Sequence, residues 1–404
     1  DESIFSFFWK GNDRIVFEGD VSGNESFFVV STDLTGRKVL RLAESQRVEN
    51  GITGTIANMV DPFQADPSRI VVAAFFADNA DTTVFVGRTA VVAKLNVLTR
   101  TRSPVLELKE SDRNVRLLTD QSGALRVRGR LVGPELVWEH RADDGATFKE
   151  IARHPYHGYQ ETWQPLAFAA DNVTLWVIVR SEHDRGALQA YHTRTGQLGP
   201  VLFTPTEGEL DEEIVTTPDR KKLLGIAYET DRRRYHWFDE ERGALQRKLE
   251  NSFVGCDVRI TSESDDQSVK LIYVAHDREP GSYFVLDQKA GSLVLFKRVR
   301  HLDPNALRPR QPISYPARDG LTIHGYLTLP AGATGKRVPL VIHPHGGPFG
   351  VRDSWGYDVD AQFLASRGYA VLQPNYRGSG GYGRAFLNQG RHQWGRAMQD
   401  DLSD

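Results

Sequence analysis

The sequence contains one cysteine, Cys256. That excludes an intrachain disulfide and any metal site built on several thiolates. With no motif around it, this thiol reads as a small buried apolar residue. Long apolar runs are also missing. The longest, IVVAAFFA from Ile70 to Ala77, is far short of the about 20 residues a membrane helix needs. Basic excess is absent too. The net charge is -3, whereas a nucleic-acid role normally shows as surplus Lys and Arg. Neither a membrane nor a nucleic acid is therefore an expected partner. There is no basic-then-apolar leader, but one could have been removed upstream, so the compartment of the expected soluble protein, cytoplasmic or periplasmic, stays open. Finally, no serine has glycine both two residues before and two after it, so the usual G-x-S-x-G nucleophile elbow is not found.

What is present divides into two grammars. As far as about residue 300, strand-like stretches such as RIVFEG, FFVVST, LWVIVRS, LLGIAYE, VKLIYVA and YFVLD alternate with Gly, Asp and Asn. No long segment there has helical periodicity. Similar hairpins are expected around Gly36, Gly145, Gly196, Gly243 and Gly291, and the last four are spaced 51, 47 and 48 residues apart. The wider gap from Gly36 to Gly145 leaves room for one further unit, with its turn near LNVLTRTRS. Six units of roughly 40–50 residues, each about four short strands, predict a β-propeller over residues 1–300 rather than a β-sandwich.

HLDPNALRPRQP, residues 301–312, carries three prolines and reads as a linker. ISYPARDGLTIHGYLTLP then reads as two strands around an Asp-Gly turn. RVPLVIHP has the continuous apolar character of a strand covered on both faces. A helix is expected from Asp358 to Arg367, with Asp358 at its start, Phe363 and Leu364 inward and Gly368 ending it. YAVLQP is a further buried strand, and helices are expected near 384–389 and 396–402. Together, residues 313–404 predict the N-terminal part of an α/β domain with a largely parallel sheet.

The pair Gly346-Gly347 follows the strand LVIHPH directly. Acyl transfer places negative charge on a former carbonyl oxygen, and fixed backbone N–H groups stabilise it. Glycine leaves those amides unobstructed. In α/β-hydrolases one donor comes from a Gly-rich loop at this point of the chain. His345, Gly346 and Gly347 are therefore the candidate oxyanion-hole residues. His343 and His345 would share one face of a strand, but a third ligand at suitable spacing is missing and Pro344 interrupts them, so no metal is expected. No cofactor is expected either. Ser379, in NYRGSGGYG, comes nearest to an elbow but has Arg377 two residues before it. It reads as part of a loop lining the site.

At these residues the chain resembles the prolyl oligopeptidase family of serine peptidases, in its acylaminoacyl-peptidase and dipeptidyl-peptidase-like branch. The likeness is carried, in order, by DGLTIHGYLTLP at 319–330, PLVIHPHGGPFG at 339–350, FLASRGYAVLQPNYRGSGGYG at 363–383 and WGRAMQDDLSD at 394–404. The resemblance implies an α/β-hydrolase domain preceded by a seven-bladed propeller that gates access, of which six units are visible. It implies a serine peptidase acting on short peptides through an acyl-enzyme. The nucleophile would lie a few tens of residues beyond Asp404, with acid and histidine later, so the residues as they stand would be inactive. Tyr376 to Gly383 would form a loop beside the oxyanion hole, with Tyr376 and Arg377 as candidate substrate contacts. Trp394, Asp400 and Asp401 would sit on the helix leading to the elbow. An esterase on the same fold and a non-catalytic propeller binding module are the alternatives, and oligomer formation is left open.

Three other clusters have plainer readings. The acidic run Glu207 to Glu213 is the kind of group that could hold a substrate's ammonium, but it reads as a solvated loop between two blades. Arg232 to Arg242 reads as an exposed hairpin of neighbouring opposite charges. Tyr156, His157, Tyr159 and Trp163 read as packing between blades.

Overall fold

A computed structural model of the chain describes residues 2–21, 27–44, 58–62, 66–74, 90–108, 116–156, 161–333 and 337–404. Among the described residues, six antiparallel meanders follow one another within the bounds 2–44, 58–108, 116–155, 163–203, 209–237 and 257–298. Each has four strands except the fifth, which has three. They are the blades of a β-propeller, in the number that the turn spacing predicts. Alternation along each strand puts one set of side chains on each sheet face. Val16, Val29 and Leu42 of the first blade thus share a core with Ile70, Val72 and Leu95 of the second. Ile178 and Leu188 of the fourth do the same with Leu210 and Ile226 of the fifth. By packing, the chain forms two compact units. One comprises Asp1–Tyr156, Ala167–Leu175 and Tyr191–Gln197, and the other His157–Leu166, Trp176–Ala190 and Leu198–Asp404.

The hairpin turns at Gly36, Gly145, Gly196 and Gly291, and the one between Asn96 and Arg102, are where the sequence places them. Gly243 is not in a turn. It lies in helix α1 (Glu240–Ser252), which follows the third strand of blade five. The side chain of Asp239 accepts from the Arg242 N–H, and Glu240 and Glu241 complement the positive end of the helix. Leu245 and Leu249, four apart, pack on Val258 and Ile272 of blade six. A Cβ at Gly243 would come within 3.1 Å of Trp237 Cβ, so this glycine serves close packing rather than chain reversal. The Arg232–Arg242 stretch is correspondingly a strand, Arg233–Trp237, running into this helix. Cys256 is half-buried against the same cluster rather than fully enclosed.

Beyond the propeller, strand Arg310–Pro316 begins inside the stretch read as linker and pairs antiparallel with Thr322–Thr328. That strand pairs antiparallel with Ala370–Asn375, which pairs parallel with Leu340–Ile342. The α/β class holds, but only one of these three pairings is parallel, because the entering hairpin contributes the other two. Leu340 lies on the outer strand and is 53% exposed, not covered on both faces. Helix α2 (Val359–Ala365) starts at Asp358, whose carboxylate accepts from the Ala361 N–H. Its buried stripe is Ala361, Gln362 and Ala365. Phe363, at 52% exposure, faces outward beneath Arg367. Gln362 donates to the carbonyls of Asp277 and Arg308. Helices α3 (Arg384–Gln389) and α4 (Ala397–Ser403) follow. Trp394 is 78% exposed and precedes α4 rather than lying on it.

Candidate active site

The loop after Leu340–Ile342 carries the predicted oxyanion residues. It leaves the sheet at His343, whose N–H donates to Leu372 O. The His345 ring stacks on Tyr376, centroids 4.6 Å apart and planes 16° from parallel. The Tyr376 hydroxyl donates to His345 O at 2.9 Å. On its other edge, His345 Nε2 lies 2.8 Å from Ser379 Oγ. The histidine is therefore clamped by its ring and its carbonyl, which fixes the path of the two residues after it.

Gly346 and Gly347 are exposed. Among the described residues, neither backbone N–H donates a hydrogen bond. A Cβ at Gly346 would meet nothing within 4 Å. Gly347 has φ +131°, and a Cβ there would approach Val351 at 3.2 Å. Its peptide bond to Pro348 is cis.

The Gly-rich loop 376–383 braces this segment from behind. Gly350 N–H donates to Gly378 O at 3.0 Å, and Gly380 N–H donates to Val351 O at 3.1 Å. A Cβ at Gly380 would come within 2.5 Å of Gly350 O, so the two backbones can cross this closely only without a side chain. Ser379 is fully buried and its hydroxyl donates to Tyr376 O at 2.6 Å. Tied in this way it is a strut of the loop.

Arg377 is engaged by two carboxylates. Its Nη2 donates to Asp401 Oδ1 at 2.7 Å and its Nη1 to Asp319 Oδ2 at 2.7 Å. Its own N–H donates to Asp401 Oδ2 at 2.9 Å. The two carboxylates hold the guanidinium well above its ordinary range, and its hydrogen bond in turn pulls Asp319 down to about 2. Tyr382 is held at the other end. Asn375 Nδ2 donates to its hydroxyl at 2.7 Å, and the Arg352 guanidinium lies over its ring at 4.6 Å. Arg352 also donates to the hydroxyls of Tyr326 and Tyr382. Burial, first of all, raises Tyr326 to about 12 and pushes Tyr382 up.

The acidic run is only partly solvated. Glu207, Glu212 and Glu213 are exposed, and Glu213 accepts from Arg233. Glu209 is the exception, at 3% exposure. It accepts from the backbone N–H of Gly381 and Gly383 and pairs with Arg180. Nearby, Asp184 accepts from Ala385 N–H at 2.6 Å. Sequence reading passed over Arg180 and Asp184 and took Glu209, within the acidic run, for part of a solvated loop, since nothing local distinguishes these residues from surface charges. Of the aromatic group, Trp163 is buried, whereas His157 and Tyr159 lie outside the described residues. Among the described residues, no three metal-ligating side chains gather, and no helix is long and apolar enough to cross a membrane.

Residues 355–404 match the prolyl oligopeptidase family of peptidases. Dipeptidyl aminopeptidase BIII of Pseudoxanthomonas mexicana is 32% identical over 60% of this chain and 36% of its own length. Dipeptidyl peptidase family member 6 of Caenorhabditis elegans is 26% identical over 73% of this chain and 42% of its own length. The chain is thus similar to the prolyl oligopeptidase family over residues 355–404 and to dipeptidyl peptidases over a longer stretch. A solved prolyl endopeptidase superposes on all of this chain with a TM-score of 0.67, at 13% identity, using 58% of its own chain, so the two share a fold. The chain thus spans less than two thirds of the length of each of these proteins.

Proposed function

We propose that the whole protein is a serine peptidase that hydrolyses short peptides through an acyl-enzyme, with the propeller limiting access by size. One observation carries this reading. The amides of Gly346 and Gly347 are exposed, unobstructed and without a hydrogen-bond partner among the described residues, on a loop braced from behind. Fixed, unpaired donors suit an oxygen that becomes negative only in the tetrahedral intermediate. In this reading His345 sets the direction of the donors and Tyr376 holds His345. The ion pairs of Arg377 with Asp401 and Asp319 favour loop support over substrate contact for this residue. The seryl nucleophile, the acid and the catalytic histidine are expected in sequence following Asp404, so residues 1–404 alone are expected to be inactive. The names of the two curated relatives favour release of N-terminal dipeptides.

The full-length protein should react with a fluorophosphonate probe and cleave dipeptidyl or aminoacyl chromogenic amides. Hydrolysis of short-chain esters with every peptide refused would establish an esterase instead. Gly346→Val should lower kcat by about 10²-fold with little change in KM, because the contact it obstructs strengthens in the transition state. An unchanged kcat would remove this loop from the mechanism.

A further inference from the structure

Glu209 is the first residue of strand Glu209–Thr216 in blade five. Its Oε2 accepts from Gly381 N–H at 3.0 Å and from Gly383 N–H at 3.2 Å. Its Oε1 lies 3.5 Å from Arg180 Nε. Arg180 is itself buried and donates to Glu161 O and Leu210 O, so the counter-charge is fixed in place. The backbone leading to Glu209 has no freedom either. Gly208 has φ +74°, and a Cβ there would overlap Glu229 O.

We propose that Glu209 is a positioning residue for the oxyanion loop: it fixes the Gly-rich loop by two backbone amides, and that loop fixes His345 to Gly347. The proposal rests on the peptidase reading above. The relay can be followed atom by atom. Gly380, next to Gly381, donates to Val351 O, and Gly378 O accepts from Gly350 N–H. Between them, Ser379 Oγ meets His345 Nε2. A carboxylate is suited to this task because it can accept from two converging N–H groups at once, and such charge-assisted bonds are short and strong. Burial pushes the Glu209 carboxyl up, while Arg180 and the two amides oppose that and favour the ionised form. A buried carboxylate could instead hold a substrate's ammonium group. Here both oxygens are already engaged, one by a guanidinium and the other by the loop, which favours positioning.

The test uses Glu209→Gln and Glu209→Asp in the full-length protein, both checked for folding by thermal unfolding. Gln keeps an oxygen at the reach of the two amides but loses the charge. Asp keeps the charge but falls one methylene short. If Glu209 positions the loop, Asp should lower kcat and the fluorophosphonate inactivation rate together by about 10-fold, with KM within about 2-fold, and Gln should retain more of both rates than Asp. The fluorophosphonate probe has no amino group, so its rate reports attack and oxyanion stabilisation without any contribution from ammonium binding. Two results would overturn the proposal. One is an inactivation rate unchanged in both variants. The other is a rise in KM for substrates with a free amino terminus, larger in Gln than in Asp, which would make Glu209 an ammonium ligand. A wild-type protein that neither cleaves amides nor takes the probe would instead sink the peptidase reading itself.

Discussion

The Gly-rich loop is held at its two ends by opposite means. At the Arg377 end, a side chain reaches out of the loop to carboxylates of the hydrolase segment, Asp401 and Asp319, 24 and 58 residues away in sequence. At the Gly381–Gly383 end, the loop offers only backbone N–H groups, and the acceptor is Glu209 of the propeller, 172 and 174 residues away. The first anchor ties the loop to α4 and to the entering hairpin, through an Asp401 carboxylate that is fully buried. The second adds little to that segment's core but fixes where the loop lies. Disrupting the first should therefore show mainly in stability, and disrupting the second mainly in turnover.

The largest stability effect is expected at Arg377. Asp401 is fully buried, and its counter-charge is this guanidinium. Removing one partner of a buried pair leaves an uncompensated charge, at a cost of about 3–5 kcal/mol. Arg377→Met should lower the urea midpoint by the corresponding amount. Arg377→Lys should recover only part of it, since an ammonium cannot reproduce a fork that serves two carboxylates. A loss below about 1 kcal/mol for Arg377→Met, the range of exposed pairs, would abolish the distinction between the two anchors.

A smaller loss is expected where the first anchor's backbones cross. A Cβ at Gly390 would lie 2.7 Å from Gly378 Cα and 3.0 Å from Arg377 O, atoms that cannot turn aside. Gly390→Ala should cost about 1–3 kcal/mol by overpacking. Gly346→Ala, which adds its methyl to open space, should leave the melting temperature unchanged. Equal melting temperatures for the two variants would show that the crossing is looser than these distances describe.

These contrasts also explain what could be read from the residues alone. Turn glycines, the Asp319-Gly320 hairpin and the Asp358 cap act through neighbours a few residues away, so local chemistry exposes them. Gly243 misled because the same residue type serves both turns and close packing. Its true role depends on Trp237 lying against the helix. The signal that was there is the Asp-Glu-Glu start followed by Leu245 and Leu249. Phe363 misled because the buried stripe of α2 is set by Asp277 and Arg308 meeting Gln362, which hydrophobicity does not encode. The exposed pair Gly346-Gly347 was legible as a motif. The stacking of Tyr376 on His345 and the reach of Glu209 were not, because each joins strands of chain that only folding brings together.

The smallest effect expected concerns Asp319, the exposed half of the first anchor. Arg377 lowers its carboxyl from an ordinary 3.8 to about 2. A group depressed on folding contributes stability above its unfolded value, and that contribution is lost as pH falls toward the folded value. The Arg377–Asp319 pair should thus be fully effective above about pH 4 and vanish as pH approaches about 2. Asp319→Asn should be slightly less stable than wild type at pH 6, since Asp401 still holds the guanidinium and solvent screens the lost partner. The gap in urea midpoint should narrow steadily once the pH drops below about 4. Comparing Asp319→Asn with wild type at each pH removes the contribution of Asp404, which Arg318 also depresses. A gap that stays constant down to the acid limit would mean that the pairing with Arg377 is not what holds this carboxylate, and the first anchor would then rest on Asp401 alone.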